Sequence, residues 1–430
     1  MFEKRGKITK IFSIFAFLMM KIVARTILIA FGLCVLLFSS CGKRHQGPLP
    51  EVDVDSLFTD LGKGLVEQRI ASVDRAFDEI RKSQNLNGVV LYAEGEQILY
   101  EKAFGWRNLV KQKDSLQVDD QFQLASVSKM FTAEAVMLLY SQGKLDYDDD
   151  ITEYLPDFPY KGITIRNLLN HRSGLSRYEV LADERWPDRC IPLSNGDVVR
   201  LYAQYHPDPY NQPNVTFHYT NVNYALLANI IEKVSGQHFE DFMREQLFEP
   251  LGMSHSYIYS LRGVDRLKTY VDTDVQGHDL LRKGARRAQD DYLNGVLGDK
   301  GMFSTVSDLY KFHLALEYNL LLPDSIQREA FIPGSPTWKK GENYGFGWRM
   351  KDTHPGVLYH FGWWKGYRSF FIRDIAKRRT LIILTNTDAG ISGETLWEFI
   401  NDTTLQLPPA SINKSLVFDH QLEANAVDVE

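Results

Sequence analysis

The chain has 430 residues, of which 44% are hydrophobic and 24% are charged, so it is long enough for two structural lobes and has the composition of a folded soluble protein. Its formal net charge of −6 argues against a general nucleic-acid binder, because neutralising phosphates needs a basic surface. The 11 histidines show no metal-ligand spacing, which argues against a metal centre.

The first 40 residues have the pattern of a targeting segment. From Met20 onward, a short basic stretch precedes an apolar run that ends in small residues before Cys41. This pattern resembles a bacterial lipoprotein signal. It predicts cleavage between Ser40 and Cys41, lipidation of Cys41, and attachment to the periplasmic side of the cell envelope; an uncleaved signal anchor is the alternative.

Folded elements are predicted after a polar tether at residues 41–64. Residues 70–80 carry apolar side chains at helical spacing, and residues 88–106 hold two apolar runs that are typical of a β-hairpin. Helical periodicity dominates residues 144–290. Strands return within residues 344–386, followed by a closing helix near 393–402.

This order predicts an α/β lobe that is split in sequence by a helical lobe. We place the α/β lobe at about residues 65–125 and 290–405, and the helical lobe at about 126–289. The last segment, 406–430, is expected to be a loose tail. A cleft between two such lobes is a common position for an active site.

The stretch QLASVSKMFTAEAV places Ser126 and Lys129 at the start of a buried helix. Two residues at this spacing lie on the same helix face, with Cβ atoms about 5–6 Å apart. The positive end of the helix dipole and desolvation both disfavour a charged lysine, so a neutral amine would accept the serine proton. The alternative is a polar residue that merely begins a helix. The spacing alone is weak evidence, because it recurs at Ser40/Lys43, Ser141/Lys144 and Ser411/Lys414.

Two further polar motifs follow in the chain. Tyr219 and Asn221 come just before an apolar helix, where a phenol beside a cation is suited to shuttle protons. His360 and Gly362 precede a strand-like run, and a glycine there permits close backbone approach. Each motif also has an ordinary structural interpretation: a loop anchor with a helix cap for the first, and a sheet histidine for the second.

Taken together, Ser-x-x-Lys, Tyr-x-Asn and His-x-Gly occur in a characteristic order. They are accompanied by stretches such as ITIRNLLNHRSGL, NYALLANIIEKVSG, GDKGMFSTVSDL and YGFGWRM. Over about residues 70–403, the set resembles the serine β-lactamase and penicillin-binding-protein superfamily. The similarity is to its class C-like branch of D-alanyl-D-alanine carboxypeptidases, D-aminopeptidases and carboxylesterases. The resemblance implies a two-lobe α/β fold, with an antiparallel sheet flanked by helices and an inserted all-helical lobe.

The resemblance also implies roles for individual residues. Ser126 would be the acylated nucleophile, Lys129 its activating partner, and Tyr219 the general base and acid. Asn221 would position the substrate. No metal or other cofactor is implied.

The strand after the helical lobe would complete the site. His360 would stand where the third motif of the family has a lysine, and Gly362 would belong to the same substrate-binding strand. The backbone N–H groups of Ser126 and Trp363 would form the oxyanion hole.

The third motif departs from the Lys-Thr-Gly of efficient β-lactamases. A histidine with an ordinary pKa near 6.5 is mostly neutral at pH 7, so a fixed cation for a substrate carboxylate is missing. Lys365 and Arg368 are candidate replacements. We therefore expect a lipid-anchored esterase or D-amino-acid peptidase, acting on a small ester, amide or peptide, rather than an efficient β-lactamase. The alternative is a non-catalytic binding or regulatory envelope lipoprotein on the same fold. The oligomeric state is not indicated by the sequence.

Overall fold

The computed structural model describes residues 54–268, 273–335 and 342–401, with side chains from residue 64 onward, Glu342 excepted. The chain divides into two compact units, residues 1–60 and 61–430, and only residues 54–60 of the first unit are described. The predicted signal segment, the lipidation site Cys41 and the tail at 406–430 lie outside the described residues. Among the described helices, none is long and apolar enough to cross a membrane.

The main sheet of the second unit is built from seven described strands. Their bounds are Gly88–Glu94 (β1), Gln97–Phe104 (β2), Glu342–Tyr344 (β10), Arg349–Lys351 (β11), Val357–Trp364 (β12), Tyr367–Asp374 (β13) and Arg379–Thr385 (β14). They pair antiparallel in the spatial order β10-β11-β12-β13-β14-β1-β2. The N-terminal hairpin therefore joins the C-terminal strands in one sheet, as the order of elements predicts.

The remaining described elements are short strands and helices. The strands are Trp106–Asn108 (β3), Lys113–Ser115 (β4), Phe122–Gln123 (β5), Tyr257–Ile258 (β6), His278–Leu280 (β7), Ala285–Arg287 (β8) and Met302–Ser304 (β9). The α-helices are Val54–Gln84 (α1), Ser128–Ser141 (α2), Ile165–Leu169 (α3), Tyr178–Arg185 (α4), Asn195–Tyr205 (α5), Val222–Ser235 (α6), Phe239–Met243 (α7), Val306–Tyr318 (α8), Asp324–Gln327 (α9) and Gly393–Asn401 (α10). Helix α1 begins within the segment predicted as a tether.

Both faces of the main sheet are covered by helices. Leu381 and Ile383 of β14 belong to the same core as residues of α1 and α10. Ile382 and Leu384, which point to the other face, belong to the larger core that includes α8. Every residue of β14 is buried, so both faces of the strand are covered, which explains the unbroken apolar run at its centre, 381–384.

Helix α2 lies in the larger core. All residues from Ser128 to Met137 are buried, and the ring of Phe131 stacks on that of Phe312 in α8 at 4.0 Å. The prediction of a buried helix behind Ser126 is confirmed. The predicted antiparallel sheet with flanking helices and an inserted helical segment is also observed.

Candidate active site

The nucleophile candidate lies in a tight turn between β5 and α2. Residues Ala125–Val127 form a 3-10 turn, and Ala125 has φ = +48°, a left-handed conformation that is unfavourable for a residue with a Cβ atom. Ser126 is the one partly exposed residue between Phe122 and Met137. The strained turn thus presents the Ser126 hydroxyl at the surface of an otherwise buried segment.

Lys129 joins this hydroxyl to two other parts of the chain. Its Nζ atom lies 3.1 Å from Ser126 Oγ, 2.9 Å from Asn221 Oδ1 and 2.8 Å from the backbone oxygen of Asp299. The last two oxygens can only accept hydrogen bonds. A neutral amine would donate its two protons to them and direct its lone pair at Ser126 Oγ. The geometry therefore allows Lys129 to receive the serine proton.

The orientation of the Asn221 amide is set from its other end. Asn221 Nδ2 donates to Glu179 Oε1 at 2.6 Å, and a carboxylate accepts only. Its Oδ1 must then point to Lys129. Glu179 and the Asp299 carbonyl carry no sequence signal of this role, because neither belongs to a recognisable spacing pattern.

Tyr219 lies beside this cluster, and the side chains of Lys129 and Arg349 lie close to its ring. Lys129 Nζ is 5.1 Å from the centre of its ring, and Arg349 Cζ is 4.5 Å from it. Its hydroxyl makes no hydrogen bond with a described residue, so its proposed part in proton transfer stays a prediction.

His171 holds the Tyr219 loop. Its Nδ1 atom accepts hydrogen bonds from Asn223 Nδ2 at 3.0 Å and from the Thr220 backbone N–H at 3.4 Å. Its ring also packs on the Tyr219 ring at 4.3 Å. Burial, reinforced by Lys129, lowers the pKa of His171 well below its usual value, so the ring is neutral.

His360 lies fully buried in β12, and its two ring nitrogens have partners. Nδ1 lies 2.9 Å from the backbone oxygen of Phe361, so it must be the donor, and Nε2 accepts from the Tyr344 hydroxyl at 2.9 Å. Burial first, and then Arg349 and Lys129, lower the pKa of His360 well below its usual value. His360 is therefore a neutral residue that holds Tyr344, and it does not supply a cation to the site.

The edge of β12 passes directly against the nucleophile turn. A Cβ atom added to Gly362 would lie 2.2 Å from the backbone oxygen of Leu124 and 3.1 Å from Ala125 Cβ. Pairing with β11 ends at Tyr359, so from His360 onward this edge of β12 faces the turn, while the opposite edge pairs with β13. This placement fits the predicted oxyanion pair of Ser126 and Trp363 N–H groups, whose role stays a prediction.

The cations near His360 differ from those considered from the sequence. Lys365 pairs with Asp291, and Arg368 donates to the backbone oxygen of Asp388. Arg349, in β11, is instead the cation that lies beside the site. Among the described residues, no group of three or more His, Cys, Asp or Glu side chains is arranged to hold a metal ion.

Comparison with known proteins agrees with this geometry. Residues 73–404 match the Beta-lactamase family. A penicillin-binding protein of Bacillus subtilis is 35% identical over 320 residues, which are 73% of this chain and 70% of the relative. A D-aminopeptidase of Cereibacter sphaeroides is 23% identical over 326 residues, 74% of this chain and 60% of the relative.

A solved structure shows the same fold. EstCE1, described as a hydrolase with promiscuous acyltransferase activity, superposes with a TM-score of 0.63 at 22% identity, covering 81% of this chain and 98% of EstCE1. The predicted superfamily and fold class are confirmed by these matches. The chain belongs to the β-lactamase family and is a serine hydrolase of that family.

Proposed function

We propose that this protein is a lipid-anchored envelope hydrolase that forms an acyl-enzyme on Ser126 and cleaves D-amino-acid peptides or esters rather than acting efficiently on β-lactams. The observation that carries the proposal is the convergence of Ser126 Oγ, Asn221 Oδ1 and the Asp299 carbonyl on Lys129 Nζ, within 3.1 Å. This arrangement activates an alcohol nucleophile without a metal ion.

In the proposed reaction, Ser126 Oγ attacks the substrate carbonyl carbon and its proton passes to Lys129 Nζ. The negative charge on the carbonyl oxygen is stabilised by the backbone N–H groups of Ser126 and Trp363. The intermediate then collapses as the Tyr219 hydroxyl gives its proton to the departing amine or alcohol and takes up the proton held by Lys129. In the second half, a water molecule gives a proton to Lys129 through Tyr219 and attacks the acyl carbon. The same proton then passes to Ser126 Oγ as the ester bond breaks, which frees Ser126 and restores Lys129 and Tyr219.

Arg349 favours a peptidase that recognises a free carboxylate. His360 is neutral, whereas Arg349 lies beside both Tyr219 and His360 and is permanently charged. A guanidinium group binds a carboxylate through two parallel hydrogen bonds, which suits the C-terminus of a peptide. The relatives named as a penicillin-binding protein and a D-aminopeptidase support a peptide substrate, and the likeness to EstCE1 supports an ester.

The substrate preference is tested by measuring the hydrolysis of three compounds: a short-chain p-nitrophenyl ester, a peptide ending in D-Ala-D-Ala and a chromogenic cephalosporin. We expect turnover of the ester or the peptide, slow turnover of the cephalosporin, and loss of all activity in Ser126→Ala. Arg349→Gln should raise the KM of the peptide about tenfold and leave that of the uncharged ester unchanged.

Covalent labelling supplies a second readout. A fluorophosphonate or penicillin probe should add one adduct by intact-protein mass spectrometry, and Ser126→Ala should remove it. Ser141→Ala is the matched control, because Ser141 has the same spacing to Lys144 but lies exposed at the end of α2. Absence of any Ser126-dependent adduct or turnover would contradict the proposal and favour a non-catalytic lipoprotein.

The envelope location is supported by the sequence before and at Cys41. In bacterial cells, we expect the wild-type protein in the membrane fraction and labelled by a radioactive fatty acid. Cys41→Ala should lose the label. Equal labelling of both proteins would contradict lipidation at Cys41.

A further inference from the structure

We propose that a cavity at the β12–β13 turn binds the acyl arm of the substrate and prefers an arm that ends in a carboxylate. The inference rests on the proposed function and adds a second recognition site to it. The cavity has a volume of about 380 Å³ and is lined by the turn residues Trp363 and Lys365 and by Asp279 and Arg286 of the β7–β8 hairpin. Small-molecule sites typically occupy about 300–1,000 Å³.

The two walls of the cavity are held together by backbone contacts. The His278 N–H donates to the Gly366 carbonyl at 3.2 Å, and a Cβ atom added to Gly277 would lie 2.2 Å from the backbone oxygen of Lys365. A Cβ atom on Gly366 would lie 2.3 Å from His278 N, so a side chain there would force the hairpins apart. The cavity is thus formed by the fold before any ligand arrives, which reduces the entropic cost of binding.

Its floor is fixed in a similar way. Trp364 Nε1 donates to Asn294 Oδ1 at 3.1 Å, and Lys300 Nζ lies 4.9 Å from the centre of its ring. The neighbouring Trp363 side chain is instead 61% exposed. A large aromatic surface left in water at the wall of a preformed cavity is suited to pack against a ligand.

Arg286 is the lining residue suited to bind an anion. Arg287 and Lys365 also line the cavity, but the Lys365 amine pairs with Asp291, and Asp279 adds a carboxylate to the lining. Arg286 donates to Asp279 through Nε at 3.0 Å, and its two terminal nitrogens have no hydrogen-bond partner within the described part of the chain. Those two nitrogens are the pair that binds a carboxylate in a bidentate manner.

The cavity lies further along the same strand whose edge contacts the nucleophile turn. Gly362 contacts the turn that carries Ser126, and the cavity begins at Trp363 and continues to the turn at Lys365. Three residues of a strand span about 10 Å. A substrate extended along β12 would place its C-terminal end near Arg349. The acyl arm at its other end, one to two residues from the scissile bond, would then lie in the cavity.

The test compares succinyl-Gly-D-Ala-D-Ala with acetyl-Gly-D-Ala-D-Ala, which lacks the terminal CH2–COO⁻ group of the succinyl arm. The wild-type enzyme should show a KM about five- to tenfold lower for the succinylated peptide, with a similar kcat. Arg286→Gln should abolish this preference, so that the two peptides have the same KM, and Arg286→Lys should keep part of it. Arg328→Gln is the matched control, because Arg328 is an exposed arginine that also pairs with an aspartate through Nε.

A binding measurement separates this inference from the proposed function. Ser126→Ala titrated by calorimetry with each peptide reports on the cavity without turnover. Tighter binding of the succinylated peptide that disappears on addition of Arg286→Gln would support the cavity even where no hydrolysis is seen. Equal affinities, or a preference that survives Arg286→Gln, would overturn the inference while Ser126-dependent hydrolysis would still support the proposed function.

Discussion

At the scale of single residues, burial and partners distinguish Lys129 from the other lysines at the same spacing from a serine. Lys129 is fully buried and its amine contacts three oxygens, whereas Lys144 is exposed. The two pairs, Ser126/Lys129 and Ser141/Lys144, are identical as sequence patterns. We expect their chemistry to differ, because the amine of Lys129 is held within 3.1 Å of a serine hydroxyl, an amide oxygen and a backbone carbonyl.

Replacement of Lys129 tests this distinction. Lys129→Met keeps the length of the side chain and removes the amine, so we expect kcat/KM to fall about 10²–10⁴-fold because no group remains to take the serine proton. Lys144→Met should leave kcat/KM unchanged. Thermal unfolding of both variants shows whether the fold is retained, and a folded Lys129→Met enzyme with wild-type activity would exclude the assigned role.

Part of the site was predictable at this scale. The structure brings Ser126, Lys129 and Asn221 together and places Tyr219 beside them, as the motifs predict. Glu179 and Arg349 could not be found from the sequence, since a single acidic residue at a helix start and a single arginine after YGFGW have no spacing that marks them. Their positions depend on how distant elements meet.

At the scale of elements, the site depends on the contact between β12 and the turn before α2. Gly362 allows this contact because its missing side chain leaves room for the Leu124 carbonyl and for Ser369 Oγ. The left-handed conformation at Ala125 and the close approach at Gly362 together bring the turn that carries Ser126 against the edge of β12. The sequence indicates that Gly362 lies in a strand. Which segment lies beside that strand depends on the order of the strands in the sheet.

Gly362→Ala is expected to push β12 away from the turn. The added Cβ atom would lie 2.2 Å from the Leu124 oxygen, so we expect a large loss of kcat and a destabilisation of about 1–3 kcal/mol, typical of overpacking. Gly196→Ala is the control, because the nearest atom to its Cβ is the end of a flexible arginine at 3.6 Å. Activity and urea unfolding report the two effects, and a fully active Gly362→Ala enzyme would show that the close approach is not needed.

At the scale of the whole molecule, buried ionisable groups make the stability depend on pH. Burial lowers the pKa values of His171, His313 and His360 well below 6.5 and raises that of Glu134 to about 7. Each histidine contributes stability that is present above pH 6.5 and is lost as the pH falls below it, because the unfolded chain then binds the extra proton. Glu134 acts in the opposite direction, since it contributes stability at low pH that is lost as the pH rises through about 7.

Burial also lowers the pKa values of His278 and His354 and raises that of Glu232. The five histidines outnumber the two carboxyl groups, so we expect the protein to lose stability on acidification from pH 6.5 to 5.5. Each proton by which the unfolded chain exceeds the folded one changes the free energy of unfolding by about 1.4 kcal/mol per pH unit. Glu134→Gln should make this loss steeper and should raise the stability at pH 8 relative to pH 5.5, because it removes the opposing group. Urea unfolding of both proteins at pH 5.5, 6.5 and 8 measures these changes; a wild-type stability that is flat or rises on acidification would contradict the prediction.

The sequence by itself determined the family, the fold class and the nucleophile helix, because apolar periodicity and the order of three short motifs are local properties that survive without coordinates. Only the tertiary structure decided what surrounds the nucleophile. Lys129 meets Asn221 and Asp299, which lie 92 and 170 positions further along the chain. The register of β11 against β12 places Arg349 near a buried, neutral His360. These contacts between residues distant in sequence depend on packing across the whole domain. Packing also determines how deeply each ionisable group is buried, and burial shifts its pKa.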